Sequence, residues 1–166
     1  MTNAEAKFIA EELLFREALY LDRNDWTPWV QMYETDAEYW MPAWRDEYET
    51  TEDPNTEVSL IYHESRRGLE ERISRIESRK SVTALPLPRT VHHIANVLVH
   101  EASADLIHAT AAFTVHVYDA RVAKQHSLFG YYEHTLIRNS SEWRIKRKKI
   151  LLVNDRIPTI LDFYSI

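Results

Sequence analysis

From Val91 onward the chain alternates. Val91–His100, Asp105–Asp119, Ser127–Arg138 and Glu142–Val153 each set apolar against polar residues at every second position, with short polar links between them. Period two is the signature of a half-buried strand. Links this short cannot hold the crossover of about a dozen residues that parallel neighbours require, so the four run up and down as an antiparallel meander. In the second stretch Ile107, Ala109, Ala111, Phe113, Val115 and Val117 share one face, and His108, Thr110, Thr114 and His116 share the other. Asn139-Ser140-Ser141 reads as the hairpin turn between the last two strands.

The part before the strands is helical. Thr2-Asn3-Ala4-Glu5 spells a capping box, and no Gly or Pro follows until after Leu21. Phe8, Ile9, Leu13, Leu14, Phe15, Leu19 and Leu21 cover more than one face of this helix, as expected if it lies in a concave surface. Thr27-Pro28 predicts the cap and first turn of a second helix carrying Trp29, Val30 and Tyr33. Asp36–Met41 reads as a short strand ended by Pro42, and Arg45–Glu57 as a long acidic loop. A third helix is expected over Glu64–Lys80, with Leu69, Ile73 and Ile76 as its stripe and Glu71–Arg75 as an ion pair. Ala84-Leu85-Pro86-Leu87-Pro88 must be an extended connection. Helices followed by a meander define an α+β class, with a strongly curved antiparallel sheet wrapped around the N-terminal helix. Nothing splits the chain, so residues 1–166 are expected to form one domain.

Composition excludes several kinds of chemistry. With no cysteine there is no disulfide framework, thiolate zinc site, iron–sulfur cluster or cysteine nucleophile in this chain. Its two glycines, Gly68 and Gly130, can spell neither a GxGxxG turn nor a P-loop. Residues 1–60 hold 15 acids against 4 bases, and residues 61–166 hold 11 acids against 16 bases. One acidic and one basic end of a domain follow from that split. The basic run Arg144–Lys149 lies in a strand, so a solvated face or an acidic partner surface suits it better than nucleic acid. No apolar run approaches the ~18 residues of a membrane span, and MTNAEAKF lacks signal-peptide order, so a cytoplasmic protein is expected.

All eight histidines follow residue 62. His92 and His93 point to opposite faces of a strand, while His108 and His116 share a face but lie roughly 26 Å apart at ~3.3 Å per residue. No metal site is spelled locally. An acid–base pair is the stronger enzymatic idea: His92 or His93 beside Asp36 or Tyr39 in a pocket of the curved sheet. Four of the five tryptophans fall between positions 26 and 44, where a plug of the core or an anchor for a subunit contact suits them better than the lining of an aromatic substrate pocket.

Read in order, Tyr39-Trp40-Met41-Pro42-Ala43-Trp44, Thr51-Glu52-Asp53-Pro54, Ser59-Leu60-Ile61-Tyr62 and Arg67-Gly68-Leu69-Glu70 resemble the small (β) subunit of aromatic-ring-hydroxylating dioxygenases. Pro88-Arg89-Thr90 with His92 and Asn96, Leu152-Val153-Asn154-Asp155, and Leu161-Asp162-Phe163-Tyr164 extend the likeness over nearly the whole chain, nearest the benzoate and anthranilate 1,2-dioxygenase branch. The resemblance implies a cone of the cystatin-like, nuclear-transport-factor-2-like kind. It also implies a structural, non-catalytic role in an α3β3 complex of aromatic compound catabolism. A large α subunit would there hold a Rieske [2Fe–2S] cluster and mononuclear Fe(II), fed from NADH through a reductase. It assigns this chain no catalytic residue, cofactor or metal. Trp40, Trp44, Asp53, Arg67 and Arg89 in the matched motifs become candidates for subunit contacts. Self-association as a trimer is expected through the Trp40–Trp44 region and the outer strand faces. The competing reading is a stand-alone isomerase or dehydratase on the same cone, working through a pocket histidine and carboxylate.

Overall fold

The structure is a computed structural model that describes residues 1–78 and 85–166. Helix α1 (Asn3–Arg23) begins at the capping box: Thr2 Oγ1 accepts from the Glu5 N–H, and Glu5 accepts from the Thr2 N–H at 2.7 Å. It stops where Asn24 turns left-handed at φ 58°. Its inward line is Ala6, Ala10, Leu14, Glu17, Ala18 and Leu21. Phe8, Phe15 and Leu19 face outward and are exposed, so the helix is covered on one flank and not all round. Helix α2 (Trp26–Gln31) has Asp25 at its cap position, which puts Pro28 third in the helix instead of first. That position is tolerated because the first four helical N–H groups have no partner within the helix. Tyr33 has already left α2 and opens strand β1 (Tyr33–Pro42), which starts three residues before Asp36.

Strand β2 (Ser59–His63) pairs antiparallel with β1 and was not anticipated, being short and half-buried without alternation. Helix α3 (Arg66–Glu77) buries Leu69, Ile73 and Ile76 as expected, but its ion pairs are Arg66–Glu70 and Arg67–Glu71, not Glu71–Arg75. The expected end of this helix at Lys80, and Ala84 of the extended connection, lie outside the described residues. Strands β3 (Arg89–Ala102), β4 (Leu106–Asp119), β5 (Lys124–Asn139) and β6 (Glu142–Leu152) form the meander, turning at Ser140–Ser141 between the last two.

The sheet order is β2-β1-β6-β5-β4-β3. β1 runs parallel to β6, so the sheet is mixed and not wholly antiparallel. Two irregularities set which side chains face inward. In β6, Thr135 opposes Arg147 while Leu136 opposes Ile145, leaving Lys146 as an extra residue. In β3 the register shifts after Ala95, with Asn96 at φ 54°. An extra residue reverses the alternation beyond it. Ile145 and Lys148 are therefore both buried, as are His92 and Val97.

The long loop is ordered by its own polar groups. Thr51 Oγ1 accepts from the Ala43 N–H and donates to the Val58 carbonyl, while Glu57 accepts from the N–H groups of Glu52 and Asp53. Those two N–H groups and Arg45 hold the Glu57 carboxyl down at about 2. At the other end of the chain, Phe163 stacks on Trp29 at 4.7 Å and closes the core.

Gly130 is fixed by space alone. A Cβ there would lie 2.0 Å from the Leu151 carbonyl oxygen and 3.1 Å from the Phe113 ring. Gly130→Ala is expected to destabilise the chain by about 1–3 kcal/mol, as overpacking does, read as a lower urea midpoint at unchanged slope.

Candidate functional site

The interior of the sheet encloses two histidine–carboxylate pairs, both anchored on α1. In the first, Glu17 accepts hydrogen bonds from the Tyr33 hydroxyl and, at 2.9 Å, from the Lys148 ammonium. His134 Nε2 lies 3.6 Å from the other Glu17 oxygen. The Lys148 nitrogen also sits 4.2 Å from the centre of the Tyr132 ring. Burial pushes the Glu17 carboxyl up, but the Lys148 ammonium, His134 and the Tyr33 hydroxyl together outweigh it, and the group stays well below its ordinary value. Burial pulls the Lys148 ammonium down and Glu17 offsets only part of that. The carboxylate, with several partners, therefore gains more from the pair than the ammonium does. Burial likewise lowers His134, keeping its imidazole neutral.

The second pair joins the end of α1 to β3. Asp22 accepts from His92 Nδ1 at 2.5 Å, from the His92 backbone N–H at 3.0 Å and from Thr90 Oγ1 at 2.9 Å. Burial raises the Asp22 carboxyl, and these His92 and Thr90 hydrogen bonds more than reverse it. Such a carboxylate fixes the proton on Nδ1 and leaves Nε2 as an acceptor, the arrangement of a general base. Yet the His92 side chain is 1% exposed, and its Nε2 is buried without a hydrogen-bond partner. Tyr39 Oη, Tyr132 Oη and both His134 ring nitrogens are in the same condition. A cavity of about 550 Å³ lies instead on the outer flank of α1, against Phe8, Leu13, Tyr20 and Trp143.

His92 thus pairs with neither Asp36 nor Tyr39. Asp36 is exposed and bound to Lys146, because it faces outward on β1. Tyr39 faces inward, wholly buried. His93 is on the outer face, edge-on to His116 with ring centres 5.4 Å apart. Trp40 is only 2% exposed, lying beneath Arg147 and Lys149 and donating to Ser59 Oγ. Trp44 is 39% exposed although its Nε1 donates to the Leu152 carbonyl. Asp53 caps a turn through Asn55 and Thr56, Arg67 is exposed beside Glu71, and Arg89 lies over the Tyr118 ring.

Glu17, Asp22, His134 and Lys148 escaped the sequence reading. One signal was available: Ala10, Leu14, Glu17 and Leu21 follow helical spacing, which puts Glu17 on the buried line. The basic run is not an open face either. Lys146 meets Asp36, Arg147 meets Glu38, Lys148 meets Glu17 and Lys149 meets Glu133. Acidic β1 lies beside basic β6, so the acidic and basic parts of the sequence meet along this strand pair.

Among the described residues no group of three or more His, Cys, Asp or Glu side chains is placed to hold a metal ion. With no cysteine in the sequence the donor set does not fit a Rieske cluster, and among the described residues no two histidines and a carboxylate are brought together as an iron site needs. No helix among the described residues is long and apolar enough to cross a membrane.

A curved sheet closed over one helix, with its ionisable interior sealed, defines an α+β cone. An NTF2-like protein with a cystatin-like fold from Novosphingobium aromaticivorans shares it at a TM-score of 0.63 and 16% identity, covering 96% of this chain and 91% of that one. The β subunit of the benzoate 1,2-dioxygenase of Burkholderia mallei superposes at a TM-score of 0.77 with 31% identity, covering 94% of each chain. The anthranilate 1,2-dioxygenase small subunit of Acinetobacter baylyi is 36% identical over 164 residues, 99% of each chain. Residues 16–159 match the model of the ring hydroxylating beta subunit. The chain belongs to that family, the small subunits of aromatic-ring-hydroxylating dioxygenases.

Removing one partner of the central pair leaves a buried charge alone. Lys148→Met is expected to cost about 3–5 kcal/mol, and adding Glu17→Leu to recover much of it; chemical denaturation of both variants reads the difference. Because the Glu17 and Asp22 carboxyls are depressed in the folded chain, their contribution is complete above the unfolded carboxylate range and fades as pH falls below it. Melting temperature should therefore drop steeply between about pH 5 and 3, and the drop should be shallower for the Glu17→Leu, Lys148→Met pair.

Proposed function

We infer that the chain is the structural, non-catalytic small subunit of a Rieske-type 1,2-dioxygenase acting on an aromatic acid of the benzoate or anthranilate kind, in cytoplasmic catabolism of aromatic compounds. The observation that carries the non-catalytic role is the sealing of both histidine–carboxylate pairs. Each is spent on joining α1 to the sheet, and neither imidazole has a face open to a substrate. The stand-alone isomerase or dehydratase needs such an opening, so this reading is set aside. The whole of residues 1–166 acts as one domain that supports a catalytic large subunit in an α3β3 complex, with this chain as a cyclic trimer. The large subunit carries the Rieske [2Fe–2S] cluster and mononuclear Fe(II), with electrons drawn from NADH through a reductase. The cysteine-free donor set of the small chain supports that division of labour.

Copurification with a Rieske-type large subunit tests the assignment. Within the assembled complex, His92→Ala is expected to lower stability by about 1–3 kcal/mol through loss of a buried hydrogen bond, with turnover per intact complex preserved. Loss of a general base would instead lower turnover about 10²–10⁴-fold, and that result in a stable complex would reject the structural role. Exchanging this subunit for that of a related dioxygenase is expected to leave the product profile largely intact.

A further inference from the structure

The outward flank of α1 is open to solvent, with Phe8, Phe15 and Leu19 exposed along it and Phe8 the most so at 65%. The β5–β6 hairpin stands beside the first half of the helix. Between the two lie cavities of about 550 and 450 Å³. Phe8, Ile9 and Trp143 line both, so the cavities adjoin as one groove. Most of its walls are apolar, and each half has the size of a small-molecule site. The rings of Phe8 and Trp143 favour a planar occupant that can stack on them.

The polar groups of the groove decide what that occupant must carry. In the half toward α2 each cation already has its carboxylate. Arg16 holds Glu12 at 3.1 Å, and Arg144 holds Glu142 at 3.1 Å and reaches Glu34 at 3.9 Å. The half toward the start of α1 differs. There the Arg138 guanidinium and the Trp143 indole N–H have no acceptor among the described residues. Glu5, the carboxylate lining that half, is turned back onto the Thr2 N–H at 2.7 Å by the capping box. Two donors without acceptors, set beside aromatic and aliphatic walls, complement an acceptor-only anion carried on a ring. A carboxylate meets a guanidinium through two parallel hydrogen bonds. The ring attached to it would cover Phe8 and withdraw that apolar surface from water.

We propose that this groove binds an aromatic carboxylate, with Arg138 and the Trp143 N–H receiving the carboxylate and Phe8 and Ile9 the ring. The site is built from this chain alone and does not rest on the small-subunit reading. Calorimetric titration of the full-length chain with 1-naphthoate tests it. 1-Naphthylmethanol supplies the same ring without the charge, and octanoate the same charge without the ring. Saturable binding of 1-naphthoate is expected, with each of the other two bound about tenfold more weakly. Arg138→Gln is expected to weaken 1-naphthoate about 10–100-fold, as loss of a charge-assisted hydrogen bond does. Trp143→Phe keeps a ring and removes the N–H, for a loss of about 2–10-fold. Tyr48→Ala, in the loop beyond the far end of β1, is expected to bind as the wild type does. No saturable binding of 1-naphthoate, equal binding of either other probe, or undiminished affinity in a folded Arg138→Gln chain would each overturn the proposal. So would binding to the isolated chain that vanishes in the complex copurified with a large subunit, since the groove would then be a seat for that partner. A chain that copurifies with no large subunit would strike the small-subunit reading alone.

Discussion

A lysine and a glutamate 131 residues apart in sequence meet where no water reaches them, and the cone is organised around that contact. Glu17 projects from the middle of α1 and Lys148 from the strand at the centre of the mixed sheet. Neither charge is tolerable inside without the other. Their meeting fixes the rotation of α1 about its axis, since a turn of one residue would aim Glu17 away from the ammonium. It also fixes the register of β6, since a slip of one residue would send Lys148 outward. Tyr33 and Tyr132 add a hydroxyl and a ring face to the same charges, tying in β1 and β5. Asp22 and His92 repeat the device at the end of α1 against β3. The helix is thus held at two points along its length, one against the middle strands β5 and β6 and one against the edge strand β3.

The uneven charge along the chain follows from the same topology. β1 comes early and is acidic; β6 comes late and is basic; the parallel β1–β6 pair sets Glu38 opposite Arg147 and Tyr39 opposite Lys148. Placing the two strands side by side neutralises in space what is segregated in sequence. Trp40 gains its burial this way, roofed by the cations of Arg147 and Lys149 on the outer face.

How much of this was legible depended on the kind of signal. The meander and the buried stripe of β4 from Ile107 to Val117 followed from period two, which survives wherever one face is buried. α1 was announced by its capping box, and the buried line of α3 by Leu69, Ile73 and Ile76. The interior cluster was hidden because two irregularities reverse the alternation: the extra residue Lys146 turns Lys148 inward, and Asn96 does the same for the end of β3. A glutamate in a helix and a lysine in a basic run also read, one at a time, as solvated residues. Only their pairing makes burial affordable, and pairing at long range leaves no local trace. The partner of His92 was missed for a related reason, since Asp22 reaches it from a helix end 70 residues earlier and not from the neighbouring strand.

The interior seals the acid–base constellation of His92 and Asp22 within the sheet, with His92 Nε2 buried and without a hydrogen-bond partner. Catalysis at His92 would need Nε2 within reach of a substrate proton, and hence an opening between α1 and β3. The Asp22 hydrogen bonds that orient the imidazole also pull those two elements together, so the contact that would prepare a base closes its access. At the base of the cone, Phe163 stacked on Trp29 and the buried Tyr164 and Ile166 fill the remaining space with the end of the chain itself. On the outside the fold leaves an apolar flank on α1 and a charged face over β1 and β6 whose ions pair with one another or with Glu133 of β5.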